Sequence, residues 1–191
     1  MRYFTYLRED LRRFWNAYPE DVAPFWRVMM MLSQWELHAV IIYRVNFHVS
    51  RLRNRTLRTL LGYLGYVAQK LNEALSGIRL PASIHVGPGF FIMHTGNIGF
   101  HPLTRIGANF TVAPGVSVAG RSWEQPVPAA PKIGDNVFVG SGAKIVGSVS
   151  IGDDVLIGAG AVVLSDLPDG AVAVGNPARI IRIRSQRDER G

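Results

Sequence analysis

The chain has no cysteine among its 191 residues. That excludes disulfides, thiolate metal sites and a thiol nucleophile. Acid is scarce: 14 Asp and Glu stand against 21 Lys and Arg, and 18 of the basic residues are arginine. No apolar run is long and clean enough for a bilayer. The richest stretch, Met29 to Ile42, is interrupted by Glu36 and His38, with Arg44 following, whereas a span needs about 20 mostly apolar residues. A secretory leader is not legible either, because Arg2, Arg8, Glu9, Asp10, Arg12 and Arg13 occupy the place of its apolar core. The expectation is a cytoplasmic protein. Recognised nucleic-acid modules and basic stripes interleaved with aromatics are absent, so nucleic acid is not expected as a partner.

What the chain does have is a period of six. Ile133, Val139, Ile145, Ile151, Ile157 and Val163 are spaced by six, and four residues after each comes Val137, Ala143, Val149, Val155, Ala161 or Leu167. This matches neither a helix at about 3.6 nor a strand alternating at 2. It fits a chain coiling through short parallel strands, as in hexapeptide β-helices. Three hexads make one turn of a triangular prism, so Ile133 should stack on Ile151, Val139 on Ile157 and Ile145 on Val163. Glycine suits the corners. Earlier coils are less regular: Val86, Ile92 and Ile98 keep step, then two extra residues precede Ile106, Val112 and Val118. Between Val118 and Ile133 the spacing is fifteen where twelve would keep step, and the proline-rich insert 120–131 is expected to leave the prism as a loop.

The first 80 residues lack the hexads and read as helices. The spacing predicts one helix over 6–17, with Leu7, Leu11, Phe14 and Trp15 on one side, a second segment from Pro24 to about Arg51, and a third from Thr56 to Ser76. The fold class is therefore α+β, an N-terminal α-helical region followed by a left-handed parallel β-helix of hexapeptide repeats. The expected organisation is a helical domain over 1–79, a β-helix domain over 80–180 with a loop at 119–132, and a charged tail over 181–191. Charge concentrates in the helical part. Residues 1–80 hold 12 basic against 6 acidic side chains, and residues 81–191 hold 9 against 8. Two readings of the helical excess stand side by side: a solvated helix surface, or a basic face for an anionic lipid, glycan or phosphate.

The candidate bases are His85, His94 and His101, all in early coils. Histidine titrates near neutrality and can take a proton from a hydroxyl as it attacks a thioester. A structural histidine is the commoner reading of any one of them. A shared zinc site is a further alternative, but the spacings of nine and seven come with no supporting carboxylate.

Taken together, these segments resemble the serine acetyltransferases of the hexapeptide acyltransferase superfamily. Val86 to Gly96 (VGPGFFIMHTG) resembles the glycine-rich hexad that leads into an Asp-His-x-x-Gly turn. Pro131 to Gly147, Ile157 to Val163 and Gly175 to Arg179 (GNPAR) are similar to the family's central and closing coils, and Leu7 to Leu11, Leu37 to Val40 and Tyr43-Arg44 to its helices. The resemblance implies that His94 is the general base. It implies acetyl-CoA as co-substrate, no metal, and a homotrimer or a dimer of trimers with the cofactor between two prisms. It implies that Ala119, Gly120, Ser141, Gly142, Ala159, Gly160 and Arg179 line the cofactor groove. Small residues there let a pantetheine arm approach backbone amides, and Arg179 suits a phosphate or an ion pair capping the prism end.

The sequence departs from that pattern in the acceptor region. Met93 stands where the family's motif has an acid, and Ala129-Ala130 where it has an Arg-His pair. A lost guanidinium removes a bidentate partner for a carboxylate. Phe100-His101-Pro102 resembles the variants associated with polysaccharide synthesis, which makes His101 a second catalytic or acceptor-binding candidate. Arg121, Trp123 and Glu124 on the loop are the candidate acceptor contacts, Trp123 by stacking on a sugar face. The expected function is transfer of acetyl from acetyl-CoA to a small hydroxyl acceptor, with a sugar or glycan precursor preferred to serine. The alternatives are a genuine serine O-acetyltransferase and a non-catalytic trimeric scaffold whose basic helices touch the membrane's inner face.

Overall fold

The computed structural model describes residues 2–120 and 130–184, with side chains from Thr5 onward. Four helices, α1 (Arg2–Asn16), α2 (Pro24–Leu32), α3 (Trp35–Val49) and α4 (Arg55–Ser76), precede fifteen short strands. The segment expected as one helix from Pro24 is two. Ser33 ends the first, its hydroxyl bonding back to the Met30 carbonyl at 2.7 Å, and Gln34 is extended at φ −87° and ψ 117°. A side chain that competes for backbone carbonyls weakens the helix at that point. Helix α4 has firm ends: the Asn54 side chain accepts the Leu57 N–H at 3.0 Å, and Gly77 closes it at φ 71°. Among the described residues no helix is long and apolar enough to cross a membrane.

The strands form the three faces of a prism. Face one comprises β1 (Ile78–Arg79), β4 (Ile98–Phe100), β7 (Ser117–Ala119), β10 (Lys144–Val146) and β13 (Val162–Val163). Face two comprises β2 (His85–Val86), β5 (Arg105–Ile106), β8 (Lys132–Ile133) and β11 (Ser150–Ile151). Face three comprises β3 (Phe91–Ile92), β6 (Thr111–Val112), β9 (Phe138–Val139), β12 (Leu156–Ile157), β14 (Ala171–Val174) and β15 (Arg179–Ile183). All pairings are parallel except β14 with β15. The expected stacks Ile133 on Ile151, Val139 on Ile157 and Ile145 on Val163 are the observed registers.

Two irregularities differ from the sequence reading. Phe100, not Ile98, pairs with Val118, so the two extra residues of the first coil lie between Ile92 and Phe100, in the turn that carries His94. Ile106 pairs directly with Ile133. Val118 and Ile133 are thus successive inward positions, six would have kept step, and the insertion is nine residues, 15 − 6. The corner between faces two and three also differs. Asn109, Asn136 and Asp154 hold its positive φ values of 54°, 57° and 58°. They form a ladder in which the Asn109 amide donates to Asn136 and the Asn136 amide to Asp154, both at 2.9 Å. Asparagine and aspartate tolerate the left-handed region and here add a hydrogen bond that glycine cannot.

The core runs down the prism axis. Phe90, Phe100 and Phe110 fill the first coils, with Phe90 and Phe110 stacked at 5.9 Å, and aliphatic residues fill the rest. Among the described residues, the upper edge of β2 has no strand above it. Helices close it instead: the Tyr43 hydroxyl donates to the Ile84 carbonyl at 3.1 Å and accepts the Val86 N–H at 3.2 Å. Burial lifts the Tyr43 phenol to about 12. Arg44 donates to the carbonyls of Val86 at 2.7 Å and Gly87 at 2.6 Å, and pairs with buried Asp10 at 2.7 Å. Asp10 in turn accepts the Phe90 N–H at 2.7 Å, and Arg13 donates to the Gly89 carbonyl at 2.7 Å. Burial raises the Asp10 carboxyl above the usual carboxylate range despite Arg44.

Candidate functional site

His94 lies in the turn between β3 and β4, at the corner where face three meets face one, and its side chain is exposed. The turn is fastened from above and below. The Gly96 N–H donates to the Ser76 carbonyl at the end of α4, 3.0 Å away, and the Gly96 carbonyl accepts the Gly115 N–H at 2.7 Å. Gly96 sits at φ 125°, a conformation that side chains rarely adopt, although a Cβ there would meet nothing nearer than Pro114 at 3.7 Å. The requirement at this position is therefore conformational, not steric.

Below this turn the same corner repeats coil by coil. The Gly142 N–H donates to the Pro114 carbonyl and the Gly160 N–H to the Ser141 carbonyl, each at 2.8 Å. Ser141, Gly142, Ala159 and Gly160 are all exposed. Four predicted groove residues therefore stand in one column with His94. Among the described residues, the Ser141 and Ala159 N–H groups make no backbone hydrogen bond, which leaves donors for a ligand's amide carbonyls. The column ends at the Gly175 to Ala178 turn, where the Val162 N–H donates to the Gly175 carbonyl at 2.9 Å. Arg179 follows it, exposed, and among the described residues its guanidinium donates only to the Ala178 carbonyl, at 3.3 Å. The capping ion pair considered for Arg179 is not formed among the described residues.

The other candidates stand elsewhere. His101 follows β4, where face one meets face two. Its backbone N–H donates to the Val118 carbonyl at 2.7 Å, which sets it above Ala119 and Gly120. Its Nδ1 accepts the Leu103 N–H at 3.3 Å, so the neutral ring carries its proton on Nε2. His94 and His101 thus lie on opposite edges of face one and are not brought together in one chain. The nine-residue insertion leaves from the His101 edge, and Arg121, Trp123 and Glu124 lie outside the described residues. Ala130, half-buried, begins the return to β8.

His85 occupies neither edge. It is the first residue of β2 on face two, in register with Arg105, which is in register with Lys132. Partial burial, then Arg51, Arg105 and Arg44, push its imidazole below the ordinary histidine range. Three histidines on three parts of the prism do not make a zinc site, and no other group of three ligand side chains does so among the described residues.

Several residues that fix the site were not singled out in the sequence: Asp10, Arg13 and Ser76 hold the first coil and the His94 turn through backbone atoms. A charged residue in the middle of an apolar helix face, as Asp10 is between Leu7, Leu11 and Phe14, is the one signal that could have found such a contact.

Residues 130–165 match the family model described as bacterial transferase hexapeptide (six repeats). The chain is 33% identical over 156 residues to the serine acetyltransferase of Helicobacter pylori, covering 82% of this chain and 85% of that one. The soybean serine acetyltransferase complexed with serine matches at a TM-score of 0.78 and 27% identity, over 94% of this chain and 70% of that one. The Brucella abortus serine acetyltransferase in complex with coenzyme A shares the fold at a TM-score of 0.79 and 24% identity, over 96% of this chain and 69% of that one.

Proposed function

Because the chain belongs to the serine acetyltransferase family of hexapeptide-repeat transferases, we propose that it transfers acetyl from acetyl-CoA to the hydroxyl of serine, with His94 as the general base. The observation that carries the reading is the column of small residues that runs from the His94 turn through Gly115, Ser141-Gly142 and Ala159-Gly160, tied coil to coil by backbone hydrogen bonds. A thin pantetheine arm suits such a column, because its residues carry small side chains or none; the Lys144 ammonium reaches it too, donating to the Gly115 carbonyl at 2.7 Å.

In the reaction, the His94 imidazole accepts the hydroxyl proton as the oxygen attacks the thioester carbonyl. A tetrahedral oxyanion forms and is held by backbone N–H donors at the corner. Its collapse breaks the C–S bond, and the imidazolium returns the proton to the departing CoA sulfur. Arg179, at the foot of the column, serves a CoA phosphate. Ala119, Gly120 and His101 stand on the opposite edge of face one, so a groove that uses both edges takes one edge from each of two copies. This supports a homotrimer. His101 presents an Nε2–H donor suited to the acceptor. An acetyl-CoA reaction is compatible with the cytoplasmic location expected from the sequence.

The shared description of the relatives favours serine over the sugar expected from the sequence. A different hydroxyl acceptor remains the second reading on a specific observation: Met93, 38% exposed beside His94, replaces the motif's acid, and Ala130 offers no imidazole. Release of CoA from acetyl-CoA should therefore be followed with serine and, separately, with hexoses as acceptors. His94→Ala is expected to slow the preferred reaction by about 10²–10⁴-fold. An unchanged rate removes His94 from the mechanism, and turnover with a hexose but not with serine reverses the acceptor assignment. Calorimetry with CoA tests the scaffold reading, which predicts no binding.

A further inference from the structure

Helix α4 has two unlike sides. Its inner side packs on α3, where the Asn46 amide donates to the Gly65 carbonyl at 3.0 Å and the Asn72 amide to the Trp35 carbonyl at 3.2 Å. On its outer side, Leu57, Leu60, Tyr63, Leu64, Leu71 and Leu75 are 44%, 59%, 67%, 57%, 61% and 62% exposed. At 3.6 residues per turn these six fall within an arc of roughly 120°, and the helix's charged residues, Arg55, Arg58, Lys70 and Glu73, fall outside it. An apolar band that runs the length of a 22-residue helix is the kind of contiguous exposed patch that marks an interaction surface.

The charge around this band has one sign. From Leu37 to Asn72 the chain contains no aspartate or glutamate. Arg53 and Arg55 are exposed where α3 turns into α4, while Arg51 donates to the Phe47 carbonyl at 2.9 Å and Arg58 lines the cleft with Asn46 and Val49 on the inner side. The acid of α4 itself, Glu73, is already bonded to Lys70 at 2.8 Å and Arg79 at 2.7 Å. A second copy of the chain laid on this band therefore brings no free carboxylate from this region to the arginines. Tyr63 also widens the band beyond the two-position seam that a helix partner needs. A surface that combines an apolar layer with negative headgroups supplies both complements.

We propose that α4 and the arginine turn before it dock this protein on an anionic lipid bilayer, the helix lying in the interface with Leu60, Leu64 and Leu71 among the acyl chains and the arginines on phosphates. The surface is independent of the reaction proposed above, because none of its residues belongs to the His94 corner.

Flotation of the full-length protein with vesicles tests this. Phosphatidylglycerol-containing vesicles are expected to carry at least about tenfold more protein than pure phosphatidylcholine, with the difference shrinking at high salt. Leu60→Gln with Leu64→Gln, and separately Arg53→Glu with Arg55→Glu, should each lower the bound fraction about tenfold. Sedimentation should show an unchanged oligomeric mass for both variants. Equal flotation with both vesicles, or none, overturns the proposal. So does a lower mass for the leucine variant, which assigns the band to a second copy.

Discussion

Removing Arg44 tests how the helices hold the prism. The side chain is 5% exposed and makes four hydrogen bonds: to Asp10 at 2.7 and 3.1 Å, and to the Val86 and Gly87 carbonyls at 2.7 and 2.6 Å. Arg44→Met keeps much of the volume but strands the Asp10 carboxylate, fully buried, with the backbone N–H groups of Gly89 and Phe90 left to it. Breaking one side of a buried pair costs about 3–5 kcal/mol, a large part of the 5–15 kcal/mol typical of a folded domain. Urea unfolding at fixed protein concentration should show that loss. Adding Asp10→Asn removes the stranded charge, so the double variant should be more stable than the sum of the two singles requires, by about 1–3 kcal/mol. The pH dependence of Arg44→Met has a definite sign. Burial already raises the Asp10 carboxyl, and without Arg44 it rises further. Between its unfolded value near 3.9 and that raised value, the native state binds a proton that the unfolded chain does not. The deficit should therefore shrink as pH falls toward about 4 and be fully present above the raised value. An additive cycle, or a single-variant loss below about 1 kcal/mol, refutes the coupling.

Three further outcomes are expected. Gly96→Ala forces a side chain into φ 125° and should cost about 1–3 kcal/mol by urea unfolding, with a fall in acetyl transfer because His94 is two residues away; an unaltered rate and midpoint contradict the strain. Gly62→Ala, in mid-α4 with nothing within 4 Å of the added Cβ, should stabilise the protein by roughly 0.4–1 kcal/mol, read from the same midpoint. The depressed His85 imidazole means that the unfolded chain takes up its proton first, so stability is intact above about 6.5 and lost as pH falls through the folded value. His85→Gln should flatten that limb of the stability profile, and an unchanged limb assigns the loss to other groups.

Much of the prism was legible because its inward positions repeat an identical environment: any aliphatic at every sixth residue serves, as Ile133, Ile151 and Val163 show. Legibility failed where one coil departs from the next. The fifteen residues from Val118 to Ile133 fit more than one count of missing positions, and only the pairing of Ile106 with Ile133 decides it. Phe100 was passed over in favour of Ile98 because both are buried and both suit an inward position. The grouping of Ser141, Ala159 and His94 on one edge follows from the coil period, and so does the separation of His101 from His94, since β4 lies between them. Contacts from helix side chains to carbonyls, such as Arg44 to Gly87, leave no periodic trace. They depend on where the helices come to rest.

Two edges at the ends of the prism bear on how copies can join. At the top of face two, the Val86 N–H and carbonyl are taken by Tyr43 and Arg44; at the bottom of face three, β15 runs against β14 and reverses the direction of the sheet. The upper edge of face two and the lower end of face three are therefore not bare continuations of their sheets, which blunts lengthwise templating there. Contacts made on the flanks around an axis close on themselves after a fixed number of subunits.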